Sequence, residues 1–165
     1  MELAKFNGER KQKHKELHSE KFCKKELLLA PINLAHIFET DVVIFRFQKL
    51  LIDNKSKAVA RTLAESARFA AVNLLDLINN EIRATFKIKE DSLDIVLFDS
   101  VAGGAGYVSK LFDMDINNFL NSIKKQLSCH EKCNTGCRNC LCDYTNQSFW
   151  DIFERKSALE WINMF

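Results

Sequence analysis

Only one proline, Pro31, and five glycines interrupt the 165 residues, so the chain holds no Pro- or Gly-rich linker. No apolar run approaches the ~20 residues of a membrane helix. The first residues, MELAKFNGERKQKHK, lack the apolar stretch of a signal peptide. A cytoplasmic location without membrane contact is therefore expected. Several reaction signatures are missing as well. There is no Walker A Gly-Lys-Ser/Thr, no G-x-G-x-x-G, no H-E-x-x-H and no G-x-S-x-G. Strong charge is lacking too. The net charge of +2 is not that of an autonomous DNA-binding domain. It hides an asymmetry, with eight Lys and Arg against four Glu in residues 1–25 and a slightly acidic remainder. Residues 1–26 read as a basic, solvated N-terminal arm, able at most to supplement a partner's grip on a phosphate backbone.

What is present is globular: a hydrophobic fraction of 47% and 13 Phe can furnish a core. Leu27–Leu34 around Pro31 reads as an irregular or edge lead-in. Thr40–Ile52 is the clearest strand, β-branched and aromatic, with Arg46 and Gln48 turned to the opposite face. Asp53 to Ser56 can cap a following helix. Residues 57–83 have the spacing of one long amphipathic helix. Val59, Leu63, Ala67, Ala70, Leu74, Leu77 and Ile78 form its buried stripe, and Arg61, Glu65, Arg68 and Asp76 its solvent side. Its alanines suit close packing on a sheet. Ala84–Ile88 and Leu93–Phe98 read as strands, and 107–112 as a short helix. Asp115 caps a helix over 116–128, whose stripe is Ile116, Phe119, Leu120, Ile123 and Leu127. In the tail, Ser148-x-x-Asp151 and Ser157-x-x-Glu160 have the form of capping boxes for two short helices. The expected fold is mixed α/β: a small sheet covered by a long helix, with a C-terminal four-cysteine zinc lobe at about 129–145.

Five of the six cysteines crowd between 129 and 142. In a reducing compartment that crowding points to metal rather than disulfides. Cys129-x3-Cys133-x3-Cys137-x2-Cys140 supplies four thiols, the number that fills a structural zinc site. Gly136 is expected to provide a left-handed turn inside the loop. Cys142 and His130 are competing ligands, and an iron–sulfur cluster also takes four cysteines. Full coordination leaves no position for a catalytic water, so one structural Zn2+ is expected. His14, His18 and Cys23 lie together in the arm without a recognisable site.

The stretch FDSVAGGAGYV stands where a strand hands over to a helix. The amides of Gly103, Gly104 and Gly106 could cradle an anion, although a tight crossover needs the same glycines. His36, Asp41 and Asp99 are the residues a hydrolase would have to use, but no motif binds them into a catalytic set.

Taken in order, LAHIFETDVVIF, LFDSVAGGAGYV, GCRNCLCDYTNQ and ERKSALEW make the chain resemble the MrfA-like zinc-binding domain over about residues 27–163. That domain forms the C-terminal part of DEAD/DEAH-box (superfamily 2) helicases linked to DNA repair, and occurs in the DISARM anti-phage subunit DrmB. The resemblance implies that residues 27–165 are one such domain, with Cys129, Cys133, Cys137 and Cys140 as its zinc ligands. It also places the family's Gly-Gly-Ala-Gly on Gly103–Gly106, its Asn-Gln on Asn146-Gln147 and its tail arginine on Arg155, a candidate anion or DNA contact. The sequence departs from the family in three places. Cys129 and Cys133 are four apart where many members have a closer pair, Ala102 replaces a usual Pro, and upstream Cys pairs are missing.

No DEAH box and no motif VI arginines accompany this domain, so no ATPase or other enzyme activity of its own is expected. The expectation is a non-catalytic zinc-binding accessory module or small subunit of a helicase-type complex, in DNA repair or anti-phage defence. Its partner would be a helicase or other DNA-processing subunit, with DNA reached through the complex. Met1 favours a separate polypeptide over a helicase fragment. A purely structural assembly subunit is the alternative, and a nuclease built on Asp41, Asp99 and His36 the more distant one. An aromatic tail, Phe149, Trp150, Phe153 and Trp161, offers candidate anchors for docking, although some of these must fill the core.

Overall fold

The computed structural model describes residues 36–48 and 56–165. The basic arm, its boundary with the following domain, the lead-in around Pro31 and the cap at 53–55 lie outside the described residues. Strands β1 (Val42–Phe47), β2 (Ile82–Ile88) and β3 (Leu93–Asp99) form an antiparallel sheet in the order β1-β3-β2. The apolar LDIVLF run becomes the central strand, buried by a neighbour on each side. Val43 pairs with Leu97 and Phe45 with Ile95, and Ala84 and Phe86 meet the same two residues from β2. These side chains share one face of the pleat. The opposite face carries Val42, Ile44 and Arg46, and there Arg46 donates to Asp94 at 2.7 Å.

Helix α1 (Ser56–Leu74) lies between the sheet on one side and helices α3 (Ile116–Leu127) and α4 (Arg155–Ile162) on the other. Every residue from Val59 to Val72 except Arg61 is buried. The alanines Ala60, Ala64, Ala67, Ala70 and Ala71 allow the close approach on both flanks. The expected solvent side is thereby corrected. Glu65 and Arg68 are buried, because the second flank of the helix packs against the C-terminal elements. The helix also ends at Leu74 rather than near 83. Asp76 turns left-handed at φ 53, and the N–H of Leu77 returns to the carbonyl of Val72, a Schellman closure made without glycine. Leu74 and Ile78, assigned to the stripe from periodicity, are 38% and 70% exposed. The residues freed from the helix let β2 begin at Ile82, two residues before the expected start.

After β3, a short helix α2 (Ser109–Phe112) leads to α3, whose N-cap Asp115 accepts from the N–H of Asn117 as expected. Phe119, Ile123 and Leu127 face the core, while Ile116 is half-exposed. The ring of Phe119 stacks on Phe45 at 4.5 Å, which fastens α3 to β1. The tail folds as a kinked 3-10 helix (Tyr144–Ile152) and then α4. Its caps are not the expected serines. Asp143 caps the first helix in a reciprocal box with Asn146, and Ser148 and Ser157 lie within the helices. Phe153 and Trp161 are core residues, and Trp161 meets Phe47 edge-on at 5.3 Å.

Candidate metal centre

The cysteine loop closes between the end of α3 and the start of the 3-10 helix. Lys132 takes the left-handed conformation in it, at φ 50, and not Gly136. The role of Gly136 is spatial, since a Cβ there would stand 3.2 Å from the ring of Phe153 and 3.4 Å from Leu141. The sulfurs of Cys129, Cys133, Cys137 and Cys140 lie within 4.8 Å of one another. Cys129 and Cys137 are 3.6 Å apart, Cys133 and Cys140 3.6 Å, and Cys137 and Cys140 3.7 Å. A tetrahedral ion with Zn–S of about 2.3 Å sets its sulfurs roughly 3.8 Å apart, so the four thiols have the spacing of a closed zinc site. They are positioned to bind one metal ion.

The surroundings suit thiolates that bind metal. The N–H of Cys137 points at Cys140 Sγ from 3.2 Å and can stabilise a thiolate there. Burial pushes the Cys133 and Cys140 thiols up. Burial acts the same way on Cys129, but hydrogen bonds from Cys137 and the Glu131 backbone outweigh it and bring the thiol down to about 7. Crowded thiols, two of them held toward the neutral form by burial, need a divalent cation to lose their protons together. The two competing ligands stand apart from the cluster. His130 is exposed, and neither it nor Cys142 is among the four groups that converge. Cys142 is buried, and burial raises its thiol to about 11, which keeps it neutral.

Residues outside the thiol set hold the loop. Arg155, 7% exposed, donates through Nε to the carbonyl of Cys133 at 2.6 Å and through Nη1 to that of Leu127. The N–H groups of Arg155 and Lys156, in the first turn of α4, donate to Thr135 and Asn134. Gln126 donates to the carbonyl of Cys140. Arg155, a candidate anion or DNA contact from the sequence, lies buried as a clamp between α4, α3 and a ligand residue.

The loop is in turn tied to α1. Arg68 donates to Glu65 at 2.9 Å, to Asp143 at 2.8 Å and to the carbonyl of Asn79 at 2.7 Å. Asn146, 2% exposed, donates to Glu65 and to the carbonyl of Leu141, and accepts from Asp143 N–H and from the indole of Trp150. This network escaped the sequence reading. Its signal was the line of small residues flanking Glu65 and Arg68, which announces a second packing surface on the helix.

The glycine turn does cradle an anion, but the anion is the protein's own. Asp99, fully buried, accepts from the amides of Ala105, Tyr107 and Val108 at 2.7–3.0 Å. Asp41 takes the amide of Gly106, and those of Gly103 and Gly104 bond to Glu39 and Val101 carbonyls. At Gly104, a Cβ would stand 2.4 Å from the Asp41 carboxylate and φ is +72, so both space and conformation require glycine. The amides of Gly103, Gly104 and Gly106 are thus taken by the protein's own acceptors. A fully buried carboxylate held by three amides is also poorly placed to hold a catalytic metal, which argues against Asp99 in a nuclease set.

Residues 63–141 match the family model of the MrfA Zn-binding domain. Over 141 residues, 74% of this chain, the sequence is 32% identical to the Druantia protein DruE of Escherichia coli (strain UMEA 4076-1), of which that stretch is 8%. The fold is similar to the crystal structure of the DUF1998 helicase MrfA bound to DNA, with a TM-score of 0.56 and 17% identity over 81% of this chain and 18% of that one. Both relatives are thus several-fold longer than the portion that corresponds to this chain.

Proposed function

We propose that the chain, which is similar to the MrfA Zn-binding domain over residues 63–141, is a non-catalytic accessory module of a helicase-type DNA-processing complex. Cys129, Cys133, Cys137 and Cys140 hold one structural zinc in it. The observation that carries the reading is the convergent four-thiol site within the matched segment, whose loop is clamped from behind by buried Arg155. A site of that kind fixes the docking of α4 and the 3-10 helix, and leaves no ligand position for a substrate. MrfA is a helicase whose crystal structure shows it bound to DNA. By analogy the present domain docks on a motor, in cis or as a subunit, and helps engage DNA during repair or defence against foreign DNA. We assign residues 27–165 to that unit and residues 1–26 to a basic arm.

The test is affinity capture of the tagged chain from its native host, followed by ATPase and DNA-binding assays of what is recovered. A superfamily 2 helicase or other DNA-processing subunit is the expected partner. Recovery of none sinks the reading, as does ATP hydrolysis by the chain purified alone.

A further inference from the structure

Three arginines line one cleft of about 220 Å3 between α1, the start of β2 and the 3-10 helix. Two of them have countercharges. Arg68 pairs with Glu65 and Asp143, and Arg61 approaches Glu65 at 3.6 Å. Arg61 also lies over the rings of Phe149 and Phe86, at 4.2 and 5.1 Å. The third, Arg83, is exposed on β2 and has no ion-pair partner among the described residues. The cleft therefore carries a surplus positive charge at its mouth. Half-buried Phe98, opposite Arg83 in the sheet, and half-buried Phe149 present apolar faces on its walls.

A cation beside aromatic faces suits a strand whose phosphates seek charge and whose bases seek a stacking surface. A duplex hides its base faces and would use the charge alone. We propose that this cleft binds the phosphodiester backbone of single-stranded DNA, with Arg83 as the side chain that reaches the phosphate. The proposal rests on the DNA-processing reading above and gives the metal a purpose within it. Thr145 and Phe149, one wall of the cleft, follow directly on the zinc loop, and Arg68 ties that wall to α1 through Asp143.

The experiment uses the zinc-loaded full chain and fluorescence anisotropy with labelled oligothymidylate at low salt. Arg83→Glu should weaken binding at least ~10-fold and flatten the dependence of log affinity on log salt by about one. Lys87→Glu makes the same charge change on the same strand face, two pleats along and outside the cleft, and should cost no more than about 3-fold. Zinc content and melting temperature of both variants should match the wild type. Unlabelled single strands should compete, while duplex, mononucleotide and inorganic phosphate should compete far less. Equal losses for the two variants overturn the cleft while DNA engagement stands. Competition by phosphate or mononucleotide as strong as by the strand reassigns the site to a small phosphorylated ligand. A preference for duplex overturns the single-strand assignment. If the wild type binds no DNA at all, alone or with its captured partner, the DNA-processing reading falls with it.

Discussion

The guanidinium of Arg155 donates to the main-chain carbonyl of Cys133, 22 residues earlier, so the last helix is fastened to the backbone of a metal-binding residue. Its second bond, to the carbonyl of Leu127, reaches the end of α3. One buried cation thus holds the loop, the helix before it and the helix after it.

Replacing Arg155 by Ala removes its charged donor from both carbonyls, and leaves that of Leu127 with only the N–H of Cys129. The expected loss is about 3 kcal/mol of stability, together with a ~10- to 100-fold fall in zinc affinity, as for other residues that orient ligands from behind. Titration against a zinc chelator and thermal melting measure the two effects. Arg155→Lys should recover only part of each, because an ammonium cannot span two carbonyls as a planar fork does. Unchanged zinc affinity in Arg155→Ala would show that the clamp is dispensable.

Metal analysis should find one zinc per chain in the wild type. Cys137→Ser and Cys140→Ser should each lose it and loosen the 3-10 helix and α4, since binding energy here is folding energy. Cys142→Ser and Cys23→Ser should keep it. Near-ultraviolet circular dichroism, sensitive to Trp150 and Trp161, would follow the loosening. Iron with visible absorption in place of zinc would refute the assignment.

The metal site was legible because its information is local: four thiols within twelve residues need no knowledge of the fold. Strands and α3 were legible for the same reason, through alternation and the Asp115 cap. What escaped depends on contacts distant in sequence. Glu65 and Arg68 have the spacing of a solvent-facing ion pair, and only the packing of the C-terminal elements on α1 buries them. Arg155 reads as a surface cation until α3 and the zinc loop enclose it. The end of α1 was missed because Asp76 does the work of the expected glycine, while Leu77 and Ile78 prolong the apolar rhythm beyond the helix.

Glu65 is the carboxylate that Arg68 and Asn146 share, with Arg61 nearby. Glu65→Gln should therefore strand Arg68 with one countercharge in a buried site. Breaking such a pair from one side costs ~3–5 kcal/mol, which lowers the melting temperature by on the order of 10 °C in a chain of this size. The double variant Glu65→Leu with Arg68→Met removes both charges, and should be less destabilised than the sum of its single changes. Additive losses in the calorimeter would mean that the two side chains act independently.

Asp99 separates the structural from the catalytic view of the glycine turn. Its carboxylate accepts three amides, from Ala105, Tyr107 and Val108, and is fully buried. Asp99→Asn keeps the shape but turns an NH2 toward groups that are themselves donors. At least one amide then loses its acceptor, and the expected cost is about 2–4 kcal/mol. The crossover between β3 and α2 should loosen first, which hydrogen exchange at residues 105–108 would report as lost protection. No hydrolytic activity should disappear with it, because a carboxylate enclosed by main-chain amides can neither ligate a metal nor reach a scissile bond. The decisive comparison is nuclease activity of wild type and Asp99→Asn at a temperature where both remain folded. Turnover present in the first and abolished in the second would place Asp99 in an active centre and overturn the accessory role.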